Sequence, residues 1–122
     1  MKILLAEDDA NIVKIAQIVL QKMGNHTVDV CMDGLSALDK ALENDYDLLI
    51  LDGMMPGLPG VEVCKQYKEK KQGSQAYVIF LSAKSAQEDI REFKELGCGY
   101  IQKPFEPQQL CPLIDEIMRT AA

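Results

Sequence analysis

Four short apolar runs in this chain each stop at a polar group, and helix-period stretches separate them. Ile3-Leu4-Leu5-Ala6 stops at Glu7-Asp8-Asp9, Leu48-Leu49-Ile50-Leu51 at Asp52, Val78-Ile79-Phe80-Leu81 at Ser82, and Tyr100-Ile101-Gln102 at Lys103-Pro104. Strand-length runs alternating with helical stretches are the pattern of an α/β domain with a parallel sheet. If the runs are parallel strands, their ends share one rim. That rim collects carboxylates, a hydroxyl and an ammonium, a set that can bind a divalent cation and a phosphoryl group. Asp52 is the most telling member, because a wholly apolar strand has no structural need to end in a carboxylate.

The intervening segments predict five helices. After Asp9, apolar residues at Ile12, Ile15, Ala16, Val19, Leu20 and Met23 mark one helical face, which Gly24-Asn25 ends. A second helix is expected from about Leu35 to Asn44, with Leu38, Ala41 and Leu42 inward. A third starts near Pro59, a good first-turn proline, and carries Val61, Cys64 and Tyr67. A fourth opens at Ser85 with the spacing of a Ser85–Glu88 capping box and an Ile90, Phe93, Leu96 stripe. The last carries Leu110, Leu113, Ile114, Ile117 and Met118. Pro112 falls inside that pattern, so the helix either begins near Leu110, with the proline in its first turn, or is kinked.

The runs near residues 3–6, 48–51 and 77–81 are almost wholly apolar, as strands covered on both faces must be. Thr27-Val28-Asp29-Val30-Cys31 alternates and is expected at a sheet edge. These features are consistent with strand order 2-1-3-4-5. In that order a crevice opens where strands one and three diverge, at their carboxyl ends. Glu7, Asp8, Asp9 and Asp52 all belong there.

Bulk properties narrow the classes. The 122 residues suit one domain with one core, spanning 1–122. The formal charge of −6 argues against direct nucleic-acid binding and against an anionic membrane as docking surface. No stretch approaches a membrane span. Strand-like sequence begins at once after Met1-Lys2, which leaves no room for a signal peptide and points to the cytoplasm. Cys31, Cys64, Cys98 and Cys111 form no C-x-x-C pair and His26 is the sole histidine, so a zinc site is not expected and thiols are.

On the rim, like charges crowd at Glu7, Asp8, Asp9 and Asp52. A hard divalent cation relieves that repulsion, and carboxylate oxygens are the ligands magnesium prefers. Asp8 and Asp52 are the expected direct ligands, with the carbonyl of Met54 as the third protein ligand and Glu7 acting through water. Asp9 is expected to cap the first helix. An aspartate beside a metal can also be a nucleophile toward phosphorus, and Lys103 can neutralise the phosphoryl oxygens from the other side. Ser82 would donate its hydroxyl to a phosphoryl oxygen and Ala83 its backbone N–H.

These residues, in this order, resemble the receiver (phosphoacceptor) domains of two-component response regulators. The likeness rests on Ile3 to Asp9, on Leu49-Ile50-Leu51-Asp52-Gly53-Met54-Met55-Pro56-Gly57, on Phe80-Leu81-Ser82-Ala83, and on Gly99-Tyr100-Ile101-Gln102-Lys103-Pro104-Phe105. The resemblance implies a flavodoxin-like, doubly wound fold of five parallel strands and five helices. It implies that Asp52 is phosphorylated by a histidine kinase or phosphotransfer protein with magnesium or manganese bound. It also implies a switch in which Ser82 moves toward the phosphoryl group and Tyr100 swings inward, altering the surface of helix four, strand five and helix five. That surface would serve a downstream protein, a linked output domain if the chain is excised from a larger regulator, or a homodimer, which Pro112 puts in question. Met54 and Lys84 would tune hydrolysis of the acyl phosphate. The chain would then be a regulator that catalyses only its own phosphorylation and dephosphorylation. An aspartyl-nucleophile phosphatase would need an acid where Met54 stands, and a flavin phosphate would be repelled by the acidic first loop. The alternative is a receiver-like interaction module that works without phosphorylation, which would need a missing acid or lysine.

Overall fold

Ile3, Leu4, Leu5, Ala6, Leu48, Leu49 and Leu51 have no exposed surface at all, the state that unbroken apolar runs require. The computed structural model describes residues 1–73, 75–83, 87–97 and 99–121. Its strands are β1 (Lys2–Ala6), β2 (Thr27–Cys31), β3 (Leu48–Asp52), β4 (Tyr77–Ser82) and β5 (Gly99–Gln102). All pair in parallel, in the order β2-β1-β3-β4-β5. The alternating strand is thus an edge, as its pattern predicts.

Alternate residues of the strands feed two cores, one on each face of the sheet. Leu4, Ala6, Leu49, Leu51, Val78 and Phe80 pack with α2 (Gly34–Glu43), α3 (Gly60–Lys70) and Phe93 of α4 (Gln87–Leu96). Ile3, Leu5, Leu48, Ile50, Ile79 and Leu81 pack with α1 (Ala10–Lys22) and α5 (Leu110–Ala121). The helices therefore cover both faces, the doubly wound arrangement.

The helices differ from their sequence patterns in particular places. On α1, Ala16, Val19 and Leu20 are buried, while Ile15 is 44% and Met23 62% exposed. Ile15 lies toward the carboxyl rim of the sheet and lines a cleft there instead of the core. Pro59 is the residue before α3, in extended backbone, and not in its first turn; Gly60 is the first helical residue. A methyl placed on Gly60 would sit 2.2 Å from the carbonyl oxygen of Asp52, so no side chain fits at that approach. A short 3-10 turn, Pro107–Gln109, leads into α5, and Pro112 is the third residue of that helix. Its missing N–H falls in the first turn, where helices tolerate it. The expected Ser85 cap of α4 lies outside the described residues. Cys31, Cys64 and Cys111 are thiols without disulfides, and Cys98 also lies outside the described residues.

Candidate functional site

Parallel pairing sets β1 and β3 side by side, with Ala6 opposite Leu51, so the residues that follow them emerge together. Glu7 is wholly buried, and Asp52 is 2% exposed. One carboxylate oxygen from each of Glu7, Asp8 and Asp52 lies within 4.8 Å of the others. β5 delivers Lys103 to the same place. Its ammonium lies 2.7 Å from Glu7 Oε1 and 3.2 Å from Asp52 Oδ1. Residues 96 positions apart in the chain thus share one ion pair. The Lys103–Pro104 peptide is cis.

Local hydrogen bonds hold each group. Glu7 Oε2 accepts the backbone N–H of Asp9 at 3.0 Å. Asp9 in turn caps α1, its Oδ1 accepting from the N–H groups of Asn11 at 2.9 Å and Ile12 at 3.3 Å. The N–H of Met54 donates to Asp52 Oδ1 at 3.1 Å. The loop after β3 is tied to β4 by Gly53 N–H to the Leu81 carbonyl at 3.0 Å, and to α2 by Gly34 N–H to the Pro56 carbonyl at 3.2 Å. The N–H of Lys103 donates to the Ser82 carbonyl at 2.8 Å, which fixes β5 against β4 at the rim.

The electrostatics follow from burial and crowding. Burial pushes the Asp52 carboxyl up to about 7, and the Asp8 and Glu7 carboxylates add to the rise against the opposing Met54 N–H. Asp8 is held below the usual carboxylate range, chiefly by its hydrogen bond with Asp52. For Lys103, desolvation works against the charged form, but Glu7 and Asp52 outweigh it and the ammonium is stabilised. Three carboxylates against one ammonium give about −2 when all are ionised, the charge one divalent cation would cancel. Opposite oxygens in a magnesium shell lie about 4 Å apart. The acidic group therefore has the donor chemistry and nearly the spread such an ion demands.

Among the described residues, those expected at the rim from sequence lie at this end of the sheet. Ser82 is buried beside Asp52, its strand neighbour Leu81 pairing with Asp52 across the sheet. Ala83 is exposed and lines a cleft of about 500 Å³ with Asp9, Ile12, Ile15, Lys103, Pro104 and Phe105. Met54 is 62% exposed beside the cluster. Tyr100 is half-buried on β5, with its ring 6.0 Å from that of Phe93. Lys84 lies outside the described residues. Two features were not read from sequence. One is that Glu7 anchors Lys103 directly, a role beside the water-mediated one expected for it. The other is that Phe93 of α4 lies under the β3–α3 loop; its helical periodicity marked it only as core.

A family model described as the response regulator receiver domain matches residues 3–115. The transcriptional regulatory protein ResD of Bacillus subtilis is 37% identical over 99% of this chain and 49% of its own length. The response regulator ArlR of Staphylococcus epidermidis is 37% identical over 96% of this chain and 52% of its own. The chain thus spans about half the length of these relatives. Among solved structures, the chemotaxis protein CheY4 of Vibrio cholerae superposes with a TM-score of 0.85 at 28% identity, covering 95% of this chain and 97% of that one. The BeF3-activated receiver domain of DrrB gives 0.82 at 28% identity, covering 97% of each.

Proposed function

This chain belongs to the response regulator receiver domain family, and from that membership we propose that Asp52 accepts a phosphoryl group and so switches the surface of α4, β5 and α5. The observation that carries the reading is the convergence of Lys103 with Asp52 at 3.2 Å inside a cluster of three carboxylates. Asp52 Oδ attacks phosphorus in line and forms an acyl phosphate. The bond from phosphorus to the donor's imidazole nitrogen breaks, and the imidazole leaves with that electron pair. Lys103 draws negative charge from the phosphoryl oxygens, held in direction by Glu7. Ser82 and the N–H of Ala83 are the donors for the remaining oxygens.

Asp8 and Asp52 would hold magnesium or manganese directly, with the Met54 carbonyl as third protein ligand and Glu7 through water. When bound, the ion neutralises the acidic cluster and the phosphoryl charge. The donor is a histidine kinase or a phosphotransfer protein. The recipient of the signal is a downstream protein, a covalently linked output domain or a second copy of the chain. Residues 1–122 act as one domain, with no chemistry beyond their own phosphorylation and dephosphorylation, and the place of action is the cytoplasm. Among the described residues no helix is long and apolar enough to cross a membrane.

Incubation with magnesium and acetyl phosphate, followed by intact mass measurement, tests the reading. One added phosphoryl group is expected. It should be absent in Asp52→Asn and when the metal is chelated. Wild-type chain left unmodified by small donors and by histidine kinases would favour the phosphorylation-independent interaction module.

A further inference from the structure

Phe93 is the one side chain of α4 that is buried, at 3% exposure. Its ring reaches across to the phosphoacceptor loop. A methyl placed on Gly53 would lie 3.3 Å from Phe93 Cζ and 3.4 Å from Ser82 Oγ. Gly53 is the residue after Asp52, and Ser82 is the hydroxyl assigned to the phosphoryl group. Away from the loop, the Phe93 ring stacks on Phe80, with centroids 4.8 Å apart and planes at 29°. It also meets the Tyr100 ring at 6.0 Å and 31°. Phe80 and Tyr100 are register partners on β4 and β5. One ring therefore touches the loop that carries Asp52, the strand that carries Ser82, and the aromatic residue of β5.

The carboxyl end of α4 is tied to α3. Its last carbonyl, that of Leu96, accepts from Lys68 Nζ and, at 3.5 Å, from Cys64 Sγ, both on α3. Those bonds pin the end of the helix, while Phe93 fixes its buried face. Close-packed rings do not yield independently, because a gap between them forfeits contacts on both sides. A displacement of Gly53 or Ser82 must therefore move Phe93, and Phe93 carries α4 and Tyr100 with it.

We propose that Phe93 is a positioning residue that couples the occupied state of Asp52 to the placement of α4 and Tyr100. This rests on the assignment of Asp52 as phosphoacceptor. It adds a specific mechanical element to that switch, one ring packed against both of its ends.

Nuclear magnetic resonance of the full chain with magnesium and beryllium fluoride tests it, comparing wild type, Phe93→Ala and Phe93→Leu. Loading is read at the amides of Gly53 and Met54, and response at the Tyr100 ring and the amides of α4. In Phe93→Ala, loading should reach saturation while the equilibrium toward the loaded Tyr100 environment drops by about fivefold or more. Phe93→Leu keeps bulk without the ring stack and should fall between. It also decides the matter if the alanine variant does not fold. Variants that load and then move Tyr100 and α4 as fully as wild type overturn the role of Phe93 and leave the phosphoacceptor assignment intact. A wild-type chain that shows no loading at Gly53 and Met54 overturns that assignment, and the coupling with it.

Discussion

Replacing Asp52 by Asn should make the metal-free protein more stable. Asp52 is 2% exposed and shares its site with two other carboxylates. Its pKa rises from 3.8 to about 7, with burial as the main cause. A carboxyl so perturbed disfavours its ionised form in the fold by about 4 kcal/mol at alkaline pH. An amide keeps an acceptor for the Met54 N–H but presents its donor differently to Asp8. Taking half the full value, the expected gain is about 2 kcal/mol, or roughly 6–8 °C in Tm for a domain of this length. The sign fixes the pH dependence. The folded pKa lies above the unfolded one, so the fold holds an extra proton between 3.8 and about 7. Wild-type stability should fall as pH rises through that window and level off above it. Urea unfolding with a chelator present should therefore show a wide gap near about pH 8 that closes toward about pH 4. Magnesium should narrow or reverse the gap, since a ligand at a hundred times its Kd adds about 2.7 kcal/mol to the wild type. A less stable Asn variant at alkaline pH, or a gap unchanged by pH, would refute the account of Asp52 as a strained buried acid.

Three further outcomes follow from the packing. Gly60→Ala drives a methyl to within 2.2 Å of the Asp52 carbonyl oxygen. It should cost about 3 kcal/mol in urea unfolding and slow phosphorylation by acetyl phosphate, because the backbone of the acceptor must shift. Tyr67→Phe removes the buried acceptor of the Ala76 N–H, a bond of 2.7 Å. Thermal unfolding should register a loss of about 1–3 kcal/mol, while the rate of phosphorylation stays unchanged. Asp9→Ala removes the cap of α1 and should cost about 1 kcal/mol; Asp9→Ser should restore most of it in the same unfolding assay.

Much of the fold was legible because burial on both faces leaves a direct trace. A strand such as Leu48–Asp52 is covered above and below, so every position but the last is apolar. The edge strand Thr27–Cys31 mixes exposed and buried positions, and its alternation follows. The gathering of polar groups at the rim was legible for the same reason, since Asp52 and Ser82 interrupt runs that otherwise contain no polar side chain. Periodicity was less informative on α1, where Ile15 lines a rim cleft and Met23 ends in solvent. An apolar helical stripe marks one face of the helix without naming how much of that face the core covers. The start of α3 near Pro59 was legible, but the close approach that requires glycine at position 60 is a tertiary fact. For the same reason Phe93 looked like any core residue, and the sequence offered Glu7 as a water-mediated metal ligand without its direct hold on Lys103.

On the proposed function, the carboxylate of Asp52, set among Glu7, Asp8 and Lys103, is the group that takes the phosphoryl. Borohydride reduction of the phosphodonor-treated chain, followed by peptide sequencing, reads that site chemically, since an acyl phosphate is reduced to an alcohol. Homoserine is expected in the peptide at position 52, dependent on magnesium and lost in Lys103→Ala. Reduction at another carboxylate, or an unreduced Asp52 in a chain that does carry phosphoryl, would contradict it.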